Sequence, residues 1–306
     1  GEVGEAAALF DRVEAMPTVH TADRFMARIG RLWCEAGDAE SMLGELPALE
    51  RRYAGADDLF FRILITDQRF ELLREIAMSR PADQREAALA RAFQAYVDLI
   101  DAELPAPRET VRRIVLDRLS RAAGVDTPLD GLPALVSIAR AEHEARYGGA
   151  ASSIALYEAT LERHDLEESD RAAALWGLGR ALLETGRVLE GADRLVEVAR
   201  DIPGDPRSES AIEVAVDALA TAWRSNRANV DVAERLRVAL DLLLQRFPNV
   251  RTVETWRYTA GRLALEENRL DDAVSYFRRV TPDAATWIDA QHMLAASARR
   301  RATTAA

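Results

Sequence analysis

Four histidines and one cysteine are the side chains of this chain best suited to hold a metal or attack an electrophile, and their spacing suits neither task. His20, His143, His164 and His292 are scattered, and none stands four residues from another. A helix-borne zinc pair needs that spacing to bring two imidazoles onto one face. His143-Glu144 has no second histidine to complete it. Cys34 would need a histidine beside it to act as a nucleophile, so burial against the next helix is expected instead. As the single cysteine it can form no internal disulfide.

Every one of the 40 basic residues is arginine. Without lysine there is no G-x-x-x-x-G-K phosphate loop, no S-x-x-K nucleophile pair and no Schiff base. Gly148-Gly149 could suggest a phosphate cradle, but no strand precedes it, and a tight turn between helices is its expected role. Glu167, Glu168 and Asp170 gather at a helix start, where acids complement the helix dipole. No cofactor or metal is expected. An α-helical enzyme, kept as an alternative, would need an acid pair or metal cluster that these residues do not supply.

A different recurrence is more informative. Gly30-Arg-Leu-Trp-Cys-Glu35, Gly179-Arg-Ala-Leu-Leu-Glu184 and Gly261-Arg-Leu-Ala-Leu-Glu266 share the pattern Gly-Arg-x-x-x-Glu. Two residues after each stands Gly37, Gly186 or Asn268, types that tolerate φ > 0 at a helix end. The same helix ending three times is the mark of a repeat array, which acts as a surface for partners.

Length and composition agree. The 306 residues are 48% hydrophobic and 30% charged. That is too apolar for disorder and too long for one compact core, so two domains or an elongated solenoid is expected. The net charge of −11 argues against nucleic acid as the main partner. No apolar run reaches membrane-spanning length. The chain opens on Gly1, and its first helix has no earlier partner, so a fragment of a longer protein is expected. The compartment stays open between cytoplasm and periplasm.

Helical periodicity runs almost throughout, broken by Pro and Gly. It predicts helices over 4–15, 21–36, 39–53, 57–66, 68–79, 82–102, 107–123, 131–147, 150–164, 169–185, 188–201, 208–225, 230–247, 252–267, 270–280 and 285–300. Pro47 should kink or split the third. Short connections make neighbours antiparallel. In the pair 169–185 with 188–201, Gly179 on the first helix offers a hollow that Leu195 on the second can fill. Gly261 and Phe277 do the same in 252–267 with 270–280. The pair 131–147 with 150–164 places Ala141, Ser153, Tyr157 and Thr160 at matching offsets.

Gly179, Gly191, Leu195 and Pro203, and again Gly261, Ala273 and Phe277, resemble the tetratricopeptide repeat in register. Gly30, Trp33 and Leu46 fit it near the start, whereas 54–125 departs from it and 208–247 is stretched. The resemblance implies an all-α fold of antiparallel helix pairs stacked into a right-handed superhelical solenoid. Residues 1–125 would form an irregular helical-repeat region. Residues 126–306 would form tetratricopeptide-like repeats with a C-terminal capping helix, the two regions forming one continuous solenoid. First helices would line a concave groove.

The groove positions implied by that register are Trp176 with Arg180 and Tyr258 with Arg262, an aromatic four residues before an arginine in each case. Arg31 matches in the first copy, where Ala27 replaces the aromatic. Trp, Tyr and Arg often dominate interfaces. The plain alternative is that each arginine only pairs with the glutamate four residues on. The function expected is a non-catalytic protein–protein interaction scaffold that binds a peptide or helix, with no small-molecule ligand. Leu242-Leu-Leu-Gln-Arg-Phe-Pro-Asn249 and Asp272-Ala-Val-Ser-Tyr-Phe277 resemble repeats of bacterial envelope proteins, so a periplasmic or outer-membrane assembly factor is a second reading.

Overall fold

The structure, a computed structural model, describes residues 2–53, 59–102, 104 and 106–304. Among these it is all-α, with no strand. The chain divides into two compact units, Gly1–Glu144 and Ala145–Ala306.

The first unit begins with α1 (Glu2–Ala15), α2 (Thr21–Ala36), α3 (Ala39–Tyr53) and α4 (Leu59–Ser79). It continues through α5 (Ala82–Asp101) and α6 (Arg108–Ala122) into α7 (Ala134–Tyr147), whose last turn crosses the boundary. From α1 to α6, each helix packs on the next. Residue pairing shows that α1 with α2, and α4 with α5, are antiparallel. In α4 and α5, Phe70 meets Phe93 with ring centroids 5.4 Å apart, and the Tyr96 hydroxyl donates to Asp67 at 2.6 Å. Phe25, Ile29, Leu46 and Phe61 centre the core of α2–α4.

One expectation fails in this unit. The segment read as 57–66 and 68–79 is one helix, α4, over its described residues. Its polar centre breaks the apolar period without breaking the helix. The Thr66 hydroxyl donates back to the Arg62 carbonyl at 3.0 Å, and Asp67 accepts from Tyr96 on α5. Pro47 lies inside α3, which continues through it without splitting. Leu46 and Leu49, buried on both sides of it, anchor the two halves to the same core, and packing outweighs the lost hydrogen bond.

The second unit holds α8 (Ala150–Leu161), α9 (Glu168–Glu184), α10 (Val188–Asp201), α11 (Ser208–Ser225) and α12 (Val230–Arg246). After these come α13 (Val253–Glu266), α14 (Leu270–Arg278) and α15 (Trp287–Thr304). Each packs on the next, and α9 also meets α11, α10 meets α12, and α13 meets α15. Contacts at one and two helices along are those of stacked hairpins. Buried alanines such as Ala172, Ala192, Ala199, Ala215 and Ala239 let the helices approach closely.

The turns repeat as the helices do. Gly37, Gly186 and Asn268 have φ of +74°, +82° and +60°, so the three helix ends read from sequence share one backbone conformation. At two of them the chain closes in the same way. Arg187 N–H donates to Leu182 O at 2.9 Å, and Arg269 N–H to Ala264 O at 2.8 Å, each a six-residue closure of the final turn. The links from α10 to α11, α12 to α13 and α14 to α15 also match. In each, two backbone bonds step three residues at a time: Ile202, Asp205, Ser208; Phe247, Val250, Val253; Thr281, Ala284, Trp287. The described helices and turns of the second unit are thus consistent with tetratricopeptide-like repeats.

Small residues sit where neighbouring helices close. A Cβ on Gly179 would lie 2.7 Å from Leu195 Cγ and 3.0 Å from the Gly191 carbonyl. One on Gly261 would lie 2.6 Å from the Phe277 ring. Gly177 receives the Tyr157 ring of α8 in the same manner. Gly30 is different: it faces Phe10 on α1, the helix before it. The first copy therefore closes onto its preceding neighbour, although its sequence pattern is shared.

Candidate interaction surface

Trp176 and Arg180 lie one turn apart on α9. Trp176 is half-buried against the core of the second unit, and Arg180 is exposed. The Arg180 guanidinium is 3.6 Å from Glu184, with both side chains more than half exposed. Such a pair is worth about 0–1 kcal/mol and leaves the guanidinium available.

Tyr258 and Arg262 form a tighter group on α13. Both are half-buried. The Tyr258 ring packs at 5.9 Å from that of Phe277, which holds it from below. The Arg262 guanidinium lies 5.9 Å from the Tyr258 ring centroid, within cation–π reach. Its Nη1 donates to the Tyr258 hydroxyl at 3.4 Å, and Glu266 stands 3.9 Å away.

Glu266 has a stronger partner that the repeat pattern did not suggest. Arg227, just past α11, donates to it at 2.6 Å and lies 5.4 Å over the ring of Trp223. This ties the end of α11 to the end of α13. The signal was present in the sequence, since Trp223 and Arg227 show the same aromatic-to-arginine spacing as the other two pairs. Trp223 is buried, however, so only the arginine reaches the surface.

Arg31 belongs to the first unit. It donates to Glu35 at 3.0 Å and also to Asp11 on α1. The hydrogen bond to Glu35 is the largest influence and, with the charges of Asp11 and Glu35, holds its pKa above the ordinary arginine value against desolvation. A carboxylate ligand at Arg31 would have to displace one of these acids.

The residues considered for chemistry lie apart on separate elements. His143 Nδ1 is 3.0 Å from the Ser120 carbonyl. His20 precedes the first turn of α2, and Cys34 is a half-buried free thiol. Gly149, with φ +113°, leads into α8. Glu168 and Asp170 occupy the first turn of α9. Among the described residues no group of three or more His, Cys, Asp or Glu could hold a metal ion, and no helix is long and apolar enough to cross a membrane.

No family model and no curated protein matches the chain. Among solved structures, a human IFIT1 dimer with PPP-AAAA is similar at 14% identity and a TM-score of 0.31, over 94% of this chain and 74% of that one. A likeness of that size carries neither ligand nor function across.

Proposed function

We propose that this chain is a non-catalytic scaffold for protein–protein interaction, and that α9 and α13 of its second unit capture a peptide or helix bearing carboxylates. The supporting observation is the pairing, on both helices, of a half-buried aromatic with an arginine one turn on, exposed at Arg180 and half-buried at Arg262. Trp176 and Tyr258 each supply rigid apolar area, and Arg180 and Arg262 each supply a planar fork that matches a carboxylate. Shared repeat geometry alone explains the spacing. It does not require aromatic residues to be left half-exposed beside the arginines.

The net charge of −11 opposes an acidic partner at long range, so recognition rests on local contacts and weakens with salt. The test is capture of partners on the immobilised 306-residue chain and on Arg180→Ala/Arg262→Ala. Arg180 is exposed and Arg262 half-buried, and both lie outside the packed cores, so the circular dichroism and melting of the variant should stay close to the parent. Proteins held by the parent should be absent from the variant, and their retention should fall with added salt. A variant that keeps every partner, or a parent whose retained material is nucleic acid, would refute the assignment.

A further inference from the structure

The first unit has an open cleft of about 720 Å³ between α1 and α2, floored in part by α4. We propose that it seats a basic amphipathic helix from a protein partner. This is a second docking surface, with a charge preference opposite to that of the α9 and α13 arginines, and it does not rest on the reading of those residues.

The cleft has the form a helix requires. Its wall includes Val13 on α1 and Met16 just past the end of that helix. Leu9, one turn before Val13, extends the same stripe and is 58% exposed. On α2 the facing stripe runs from Met26 to Trp33, seven residues or about 10 Å along the axis. Met16 and Met26 are 43% and 40% exposed. The two stripes lie on antiparallel helices, as shown by Phe10 against Gly30 and Glu14 against Arg28. A third helix packs its own apolar ridge into such a groove. Volume alone would also admit a small ligand. The apolar strip continues along α1 past the cleft, which favours the longer occupant, and methionines adapt to varied side chains.

Charge selects among helices. Asp23 is the charged residue among those lining the cleft, and no ion pair to it forms among the described residues. Of the nearby acids, Asp11 pairs with Arg31 and Glu14 with Arg28. Glu5 and Arg12 flank the outer side of the α1 stripe with opposite signs. Gln68 of α4 adds an amide to the wall. The lining is therefore apolar with one unmatched carboxylate, which complements a helix carrying apolar residues at i, i+3 or i+4, and i+7, with Lys or Arg beside them.

The experiment uses the full chain and two labelled helical peptides, one of Leu and Lys and one with Glu in place of Lys, followed by fluorescence anisotropy. The Leu/Lys peptide should bind and the Leu/Glu peptide should not. Asp23→Lys should weaken the Leu/Lys peptide at least tenfold and admit the Leu/Glu peptide. Met26→Asp should also weaken the Leu/Lys peptide at least tenfold, although it adds negative charge. Glu209→Lys, the same charge change at an exposed site on α11, should leave binding within twofold. Equal losses for Asp23→Lys and Glu209→Lys would reduce the effect to diffuse attraction and overturn the proposal. So would unchanged binding by Met26→Asp, or octylamine saturating the cleft while the peptide neither binds nor displaces it.

Discussion

Gly179→Leu is expected to destabilise the second unit by about 3 kcal/mol, at the upper end of the usual cost of overpacking. The reason is the nature of the neighbours. Leu195 could rotate away from a new side chain, but the Gly191 carbonyl is backbone and cannot. The approach is reciprocal, since a Cβ on Gly191 would lie 2.8 Å from the Gly179 carbonyl. Here α9 and α10 meet nearly backbone to backbone, and a larger residue must push the hairpin apart. Gly204→Ala is the control, because nothing lies within 4 Å of a Cβ there. Denaturant unfolding should show the loss for Gly179→Leu and almost none for Gly204→Ala. With two compact units, two transitions are possible, and the loss belongs to the one that reports the second unit. A Gly179→Leu variant as stable as the parent would mean that the close approach does not exist.

Phe277→Ala is expected to cost about 3–5 kcal/mol, the usual range for removing a fully buried ring. Phe277 is 0% exposed and lies in the cluster of Ala264, Ala273, Val280 and Ala290. Those fully buried neighbours are small, and the larger Leu265, Met293 and Leu294 pack from the partly buried edge of the cluster, so the space fills only in part. The loss should also reach the candidate surface, because Tyr258 rests on the Phe277 ring and Arg262 on Tyr258. Unfolding should therefore shift strongly, and hydrogen exchange at the end of α13 should quicken. A cost below about 1 kcal/mol would show that α13 and α14 are not closed by this ring.

The sequence and the structure agree most closely where backbone conformation and side-chain size are both constrained. The three left-handed helix ends were legible because few residue types tolerate that conformation, and Asn268 replaces glycine at one of them. The pairing of Gly179 with α10 and of Gly261 with α14 was legible because a small residue and a large one recur at a fixed offset. The direction of Gly30 was not. Its local pattern is the same, and only the presence of Phe10 on α1 decides which neighbour fills the hollow. The continuity of α4 was hidden for a similar reason, since Thr66 and Asp67 look like a break until Tyr96 of α5 supplies a hydrogen-bond partner.

The candidate surface was read in part. Trp176, Arg180, Tyr258 and Arg262 came from register alone, and whether they bind a partner is the subject of the proposal above. The Arg227–Glu266 link escaped because it joins residues 39 apart in the chain. The cleft beside Trp33 escaped because Phe10, Val13, Met26 and Trp33 read as ordinary helical apolar positions. Their partial exposure follows from what packs on α1, which periodicity does not reveal.

The most direct test of the account is a double-mutant cycle on Gly261→Leu and Phe277→Ala, measured by denaturant unfolding. The central claim is that antiparallel hairpins close by fitting a large residue of one helix into the hollow left by a small residue of the other. If so, Gly261→Leu alone overpacks, Phe277→Ala alone leaves a void, and the two together place the new leucine where the ring had been. The double variant should then be more stable than the sum of the single losses predicts, by about 1 kcal/mol or more, within the coupling expected of residues in contact. Strict additivity would place Gly261 and Phe277 apart and contradict the hairpin packing on which the account rests.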